Sequence, residues 1–133
     1  MANQKKAPQV LRNWFLIHFT VDMIFALPLF FLPDFFLKSL GWKIVDPVAA
    51  RLVAAALFGI GISSLLSYHS VLSTYRAMLN LKIIWSFGAI AGIIISLIEG
   101  DQGSPPALYL LLIIFAAFNF LWIYWKIIIS QRE

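Results

Sequence analysis

The sequence of 133 residues has no cysteine and few charged side chains. The absence of thiols excludes a structural disulfide, a thiolate metal site and a thiol redox centre. Charged residues make up 12% of the chain, against about 25% in a soluble domain. Hydrophobic residues make up 62%, and a chain of this size cannot hide so much apolar surface from water. The composition therefore excludes an ordinary soluble enzyme, a disordered tail and a secreted disulfide scaffold, and it indicates an integral membrane protein.

Four long apolar segments account for this composition, at about residues 14–32, 48–68, 78–98 and 107–129. Each is close to the roughly 20 residues that cross about 30 Å of hydrocarbon as a helix. We interpret them as α-helices because an isolated spanning segment must satisfy its own backbone hydrogen bonds. The connections are short, so successive helices are expected to be antiparallel neighbours. The predicted fold is all-α, an up-down-up-down membrane bundle of four helices in one transmembrane domain, residues 1–133.

The connection between the first two spans contains its own helix signals. Pro33 suits a first helical position and Gly41 suits the position just after a helix end. We therefore predict a short helix over residues 33–40, lying in the membrane interface, with a plain loop as the alternative. Asp46 and Pro47 are then expected to begin the second span, with Asp46 as the N-cap.

The distribution of basic residues predicts an orientation. One side of the four-span arrangement has only Lys38, Lys43 and Arg51, whereas the other side holds Lys5, Lys6, Arg12, Arg76, Lys82, Lys126 and Arg132. The positive-inside rule then places both termini of this multi-pass protein in the cytoplasm. The basic residues lie at helix ends and form no continuous face. We therefore expect the lipid bilayer as partner and no nucleic acid, and attraction to anionic lipid accounts for the net charge of +4.

Small residues recur every four positions on two of the spans. The second span carries Ala55, Gly59 and Ser63, and the third carries Gly88 and Gly92. Such stripes let helix backbones approach closely, which matters because lipid supplies no hydrophobic drive for helix association. They predict packing between the second and third spans. The alternative is a groove for a second copy or another partner.

Polar residues within the apolar segments are the candidate functional residues. Asp22, Ser86 and Asn119 fall near mid-depth, and His18, Ser64 and Lys82 lie about one turn nearer the cytoplasmic side. A charge at the bilayer centre costs at least about 2.5–3.5 kcal/mol, so it usually has a partner or a function. One hypothesis is a ligand pocket or proton relay, open toward the cytoplasm, that is formed by Asp22, His18, Asn119, Ser86 and Lys82. The structural alternative is that Asp22 bonds to Asn119 and that Lys82 extends to the membrane surface.

Other candidate sites are few. Arg51, one turn inside the second span, is predicted to reach the outer headgroups or bind a lipid phosphate. His18 and His69 lie on different predicted helices with no cluster of carboxylates nearby, so we expect no metal site. A phosphate-binding loop, a nucleophile elbow and a catalytic carboxylate pair are all missing. The sequence therefore suggests no catalytic residue and no cofactor.

Three short motifs follow one another from the end of the first span into the second: LPDFFLKSLG at 32–41, DPVAARL at 46–52 and ALFGIG at 56–61. Together they resemble the DoxX-like and related families of small four-helix bacterial membrane proteins. This resemblance implies a four-helix bundle in a bacterial inner membrane. It also implies a link to membrane redox complexes, because some members of such families are described as their subunits or partners.

These observations leave three functional hypotheses. The first is an accessory or scaffold subunit without catalysis, acting as a homo-oligomer or within a larger membrane complex. The second is a membrane protein that binds or transports a small apolar ligand or protons through the polar layer around Asp22. The third is a membrane enzyme acting on a lipid or isoprenoid, and it needs two polar side chains that converge on one pocket. Only the face that holds Asp22 and His18 offers such a pair.

Overall fold

Proline residues mark most of the helix starts in the computed structural model, which describes residues 5–132. Proline fits a helix start because its missing N–H has no intrahelical partner there. Four of the five α-helices in the described part have proline at the N-cap or in the first turn. The helices are α1 (Gln9–Phe31), α2 (Pro33–Ser39), α3 (Pro47–Leu66), α4 (Leu72–Glu99) and α5 (Pro106–Ser130), and a 3-10 turn (Asp101–Gly103) joins the last two.

Four of these helices, α1, α3, α4 and α5, are long and apolar enough to cross a membrane. Their outward surfaces carry large apolar side chains, including Ile24, Ile84, Phe87 and Phe120. Burying such surface against lipid is the arrangement expected of a spanning bundle. The all-α, four-helix membrane fold is therefore confirmed, and the chain is a multi-pass membrane protein.

The helices differ from the predicted spans mainly at their starts. Helix α1 begins five residues before residue 14, and α4 begins six residues before residue 78. The added turns contain polar side chains such as Gln9, Asn13 and Arg76, which a search for apolar runs leaves out. Hydropathy therefore locates the part of each helix within the hydrocarbon and misses the turns that extend beyond it.

The local helix signals between α1 and α3 are present in the structure. Residues Pro33–Ser39 form a helix rather than a plain loop, and Gly41 follows it with a left-handed φ of 98°. The carboxylate of Asp46 accepts hydrogen bonds from the backbone N–H groups of Val48 at 3.0 Å and Ala49 at 3.3 Å. This N-cap satisfies donors that have no partner inside the helix.

The long helices pack as two antiparallel pairs, α1 with α3 and α4 with α5. The face of α3 that meets α1 is lined by small residues, Ala50, Ala54 and Gly61, so that α1 lies close to its backbone. A Cβ atom added to Gly61 would lie 3.0 Å from the Cβ of Asp22. This close approach holds the part of α1 that carries Asp22 against α3.

The two predicted small-residue stripes do not lie on the face of α3 that meets α1. Ala55, Gly59, Gly88 and Gly92 are exposed and Ser63 is half-buried. A Cβ added at any of the three glycines would meet no other atom within 4 Å. The prediction that these stripes pack α3 against α4 is therefore wrong within this chain. Helix α3 carries small residues on two faces, and spacing alone does not say which face is inside. A groove for another chain stays a prediction.

The end of the bundle near both chain termini, called here the terminal end, is filled by side chains. Residues of α1, α4 and α5 form one buried apolar cluster there, including Phe15, Tyr75 and Trp122. The chain before α1 adds to this closure, because the backbone N–H of Leu72 donates to the carbonyl of Lys5 at 2.9 Å. The terminal end is therefore a packed core in the part of the chain that the structure describes.

At the opposite end of the bundle, called here the α2 end, the side-chain amide of Gln102 forms hydrogen bonds that join two connecting segments. The Gln102 Oε1 atom accepts hydrogen bonds from the backbone N–H groups of Lys43 at 2.8 Å and Ile44 at 2.9 Å. Its Nε2 atom donates to the carbonyl of Ile44 at 2.9 Å. Because Gln102 belongs to the turn between α4 and α5, these three bonds join the two helix pairs across the α2 end.

Candidate functional site

A cavity of about 490 Å³ lies between the two helix pairs. Its walls are mostly apolar and aromatic, and they include Phe25 from α1, Trp85 from α4, and Phe115 and Phe118 from α5. At one end it reaches a cluster of buried polar side chains, and at the other it reaches the α2 end beside Gln102. Its volume lies within the range of about 300–1,000 Å³ that is usual for sites of small molecules.

The cavity extends in the direction opposite to the one predicted. The sequence hypothesis had it open toward the side that holds the termini. In the structure it runs from mid-depth toward α2, Trp42 and Gln102, whereas Phe15 and Tyr75 lie in the core of the terminal end. The predicted direction was wrong because the depth of a polar residue does not say on which side of it the large side chains fill the space.

Lys82 forms the centre of the polar cluster. Its side chain on α4 is 0% exposed, so the prediction that it extends to the membrane surface is wrong. The Nζ atom lies 2.7 Å from Nδ1 of His18 and donates to Oγ of Ser64 at 2.6 Å. The rings of Phe15 and Trp122 lie 4.7 Å and 5.0 Å from the same atom. Lys82 therefore joins α4 to both helices of the other pair.

His18 and Asp22 lie one turn apart on the buried face of α1. Nδ1 of His18 is 3.3 Å from Oδ2 of Asp22. The aromatic rings of Phe118 and Trp122 pack against the imidazole ring, and their centroids lie 4.8 Å and 5.1 Å from the centroid of the imidazole. Asp22 is only 4% exposed, and its Oδ2 atom has no hydrogen-bond partner.

Nδ1 of His18 therefore has two polar neighbours, Nζ of Lys82 and Oδ2 of Asp22. Nδ1 of a neutral imidazole offers either one N–H or one lone pair, so it bonds with Lys82 or with Asp22 but not with both. The two distances from Nδ1 are 2.7 Å to Nζ of Lys82 and 3.3 Å to Oδ2 of Asp22, and the tautomer of His18 decides which of these contacts is a hydrogen bond. Oδ2 itself is enclosed between α1 and α3, where a Cβ added at Gly61 would lie 3.3 Å from it.

Ser86 and Asn119 form a separate polar contact at a similar depth. Nδ2 of Asn119 donates to Oγ of Ser86 at 2.9 Å and to the carbonyl of Ile83 at 3.2 Å. These bonds hold α5 against α4. The predicted hydrogen bond between Asp22 and Asn119 is not formed. Counting residues along a helix indicates depth, but it does not indicate the direction in which a side chain points.

Ser64, which the sequence places at the depth of His18 and Lys82, bonds to Lys82 in the structure. Its Oγ accepts from Lys82 and donates to the carbonyl of Ile60 at 2.8 Å, and its side chain is fully buried. The sequence signal is that Ser64 follows Ala50, Ala54 and Gly61 at helical spacing. The depth of Ser64 was predicted, whereas its bond to Lys82 depends on this stripe, and not the one through Gly59, facing the interior.

Arg51 lies at the α2 end and is exposed. Its Nε atom donates to the carbonyl of Phe30 at 3.0 Å, near the end of α1, where the last carbonyls have no partner within the helix. The predicted contact with a lipid headgroup stays a prediction. Residues 5–132 contain no group of three or more His, Cys, Asp or Glu side chains that would hold a metal ion.

Neither a family model, nor a curated protein, nor a solved structure matches this chain. The resemblance to DoxX-like proteins therefore stays a prediction.

Proposed function

We propose that this membrane protein binds a small, mostly apolar molecule in the cavity between its two helix pairs. The observation that carries the proposal is an apolar cavity that ends on the buried side chains of His18, Asp22 and Lys82. Binding sites for small molecules are usually concave and apolar, with a few polar groups that orient the ligand. The aromatic walls would hold the apolar part, and the polar cluster would hold a polar group.

The polar cluster has a feature that a purely structural role leaves unexplained. A buried network that only held helices together would be expected to satisfy each of its polar atoms. Here Asp22 lines the cavity, and its Oδ2 atom has no hydrogen-bond partner. Because a buried carboxyl group with incomplete hydrogen bonding is costly, a polar ligand group beside Asp22 would stabilise this arrangement. Because the terminal end is packed, the structure favours binding of a small molecule over its transport along a path through the bundle.

The test is native mass spectrometry of the protein, extracted gently from its own membrane without overexpression. The proposal expects the chain, as monomer or homo-oligomer, to retain one defined small molecule. A stoichiometric second protein, with no small molecule retained, would contradict it and would support the accessory-subunit hypothesis instead.

Two matched variants locate a retained molecule. Ala49→Trp places a large side chain on the cavity wall, whereas Ala55→Trp places the same side chain on the outward face of the same helix. The proposal expects the first variant to lose the molecule and the second to keep it. Retention by both variants would place the molecule outside the cavity and would overturn the proposal.

The proposal includes an orientation. The excess of Lys and Arg near the termini supports cytoplasmic termini in a bacterial inner membrane. In that orientation the cavity lies in the outer half of the bilayer, and ligand would reach it from the side where α2 lies.

A further inference from the structure

We infer that the apolar part of the ligand is an aromatic ring system rather than a saturated ring or an alkyl chain. This inference rests on the proposed function and names the chemical class of its ligand. Three features of the cavity carry it: a wall rich in Phe and Trp, rings on that wall that have no aromatic partner, and the position of two wall rings at one level of the bundle.

The aromatic residues of the wall come from every part of the bundle except α3. Seven of the 25 residues that line the cavity are Phe or Trp, whereas aromatic residues make up 16% of the chain. Helices α1, α2, α4 and α5 and the segment between α2 and α3 each contribute at least one of them. Helix α3 contributes Ala49, Ala50, Val53 and Leu57. A molecule in the cavity therefore meets aliphatic side chains at α3 and aromatic rings from the other elements.

Three of the wall rings have no aromatic partner within the part of the chain that the structure describes. Four rings of the wall form two pairs, as Phe118 does with Trp122 at 5.6 Å between ring centroids. The other three, Trp42, Trp85 and Phe115, border the cavity and make no ring–ring contact. Aromatic pairs in stacked or edge-to-face arrangements are stabilised beyond the burial of their apolar area. An aromatic ligand would therefore supply a contact that the protein itself leaves unmade.

Two rings of the wall lie at the same level of the bundle. The polar cluster brings His18 of α1 and Trp122 of α5 together, with ring centroids 5.1 Å apart. Phe25 follows His18 by seven residues, and Phe115 precedes Trp122 by seven residues. Because α1 and α5 run in opposite directions, both steps lead toward the α2 end, by about 10 Å at the rise of an α-helix. The aromatic part of the ligand would lie at this level, and its polar group would extend toward the polar cluster.

The experiment compares biphenyl, bicyclohexyl and n-dodecane, three hydrocarbons with the same number of carbon atoms. Each is titrated as a mole fraction of the lipid into the full-length protein in bicelles, so that partitioning between water and lipid does not enter the comparison. A ligand that binds the folded protein raises its free energy of unfolding, and the dependence on ligand concentration gives a Kd. We expect the Kd of biphenyl to be about tenfold below those of the other two, a difference of about 1.4 kcal/mol, as one or two aromatic contacts would produce.

Matched variants locate this preference in the cavity. Phe115→Leu removes a ring from the cavity wall, whereas Phe120→Leu removes one from the outward face of the same helix, where the side chain is 74% exposed. Phe115→Leu should raise the Kd of biphenyl by a factor of about three to ten and leave that of bicyclohexyl nearly unchanged. Phe120→Leu should change neither Kd. Trp85→Leu repeats the test on α4, with the exposed Phe87 as its control position, so that one pair decides if a variant of the other fails to fold.

The outcomes separate this inference from the proposed function. If none of the three hydrocarbons stabilises the protein saturably, the proposed function fails for molecules of this kind, and the inference fails with it. If bicyclohexyl or n-dodecane binds as tightly as biphenyl, the cavity binds apolar molecules and the choice of an aromatic ligand is overturned. A preference for biphenyl that persists in both Phe115→Leu and Trp85→Leu would also overturn it, because the preferred contact would then lie away from these rings.

Discussion

Nζ of Lys82 lies 2.7 Å from Nδ1 of His18, across the gap between the two helix pairs. The same lysine donates to Ser64, so one side chain of α4 bonds to both α1 and α3. Helix pairs in lipid associate through packing and interhelical hydrogen bonds, because hydrocarbon supplies no hydrophobic drive. The polar cluster therefore joins the halves of the bundle at mid-depth, and it also forms the deep end of the cavity.

The first prediction concerns the energetic coupling of Asp22 and Lys82. Each single variant, Asp22→Asn or Lys82→Met, leaves one buried group uncompensated, whereas the double variant removes both. The double variant should therefore be more stable than the sum of the single effects predicts, by about 0.5–3 kcal/mol. The measurement is reversible unfolding in bicelles, analysed as a double-mutant cycle.

The chain offers a matched control for this cycle. Lys38 and Asp34 form an ion pair at 3.1 Å on α2, with both side chains more than half exposed. The same two substitutions there should show a coupling of only about 0.3–0.5 kcal/mol, because water screens an exposed pair. Equal coupling in the two cycles would contradict a special role for the buried pair.

The four spanning helices could be predicted from the sequence because the signal is local and large. Each apolar run is near the thickness of the bilayer, and Asp46 and Pro47 mark a helix start by their own backbone chemistry. The rotation of each helix could not be predicted in this way. Apolar residues cover all sides of these helices, so their periodicity does not distinguish the face toward lipid from the face toward a neighbouring helix.

The same limit explains the outcome at the candidate site. Counting residues placed His18, Asp22, Lys82, Ser86 and Asn119 at related depths, and all five are buried in the structure. The count did not show that Lys82 points inward or that Asn119 bonds to Ser86 instead of Asp22. Those contacts depend on helix rotation and on the choice of neighbours, which short-range sequence patterns do not specify.

The second prediction compares two glycines on α3 that differ in their surroundings. A Cβ at Gly61 would lie 2.9 Å from Cε of Met23 and 3.0 Å from the Cβ of Asp22, whereas a Cβ at Gly59 would meet nothing within 4 Å. Gly61→Ala should therefore destabilise the bundle by about 1–3 kcal/mol through overpacking. Gly59→Ala should leave stability unchanged or raise it by up to about 1 kcal/mol, because alanine favours a helix. Thermal unfolding in one detergent compares the two, and equal effects would contradict this packing.

The third prediction concerns the closure at the α2 end. Gln102→Ala removes the acceptor for the backbone N–H groups of Lys43 and Ile44, together with the bond to the carbonyl of Ile44. Hydrogen–deuterium exchange at these two amides should become faster, since local opening no longer has to break those bonds. The neighbouring variant Asp101→Ala, at an exposed position, should leave their exchange unchanged. Unchanged exchange in Gln102→Ala would show that these bonds do not hold the two pairs together.

The fourth prediction concerns the orientation of the protein in the membrane. Because the sequence has no cysteine, a single introduced cysteine can be labelled without background from other thiols of the chain. Ser39→Cys introduces the only thiol at the α2 end, and Gln131→Cys introduces it at the terminal end. Because Lys and Arg near the termini favour the cytoplasm, a membrane-impermeant maleimide should label Ser39→Cys in intact spheroplasts. It should label Gln131→Cys only after lysis. The reverse pattern would place the termini outside and would direct the α2 end of the cavity toward the cytoplasm, so that ligand would reach Asp22 from within the cell.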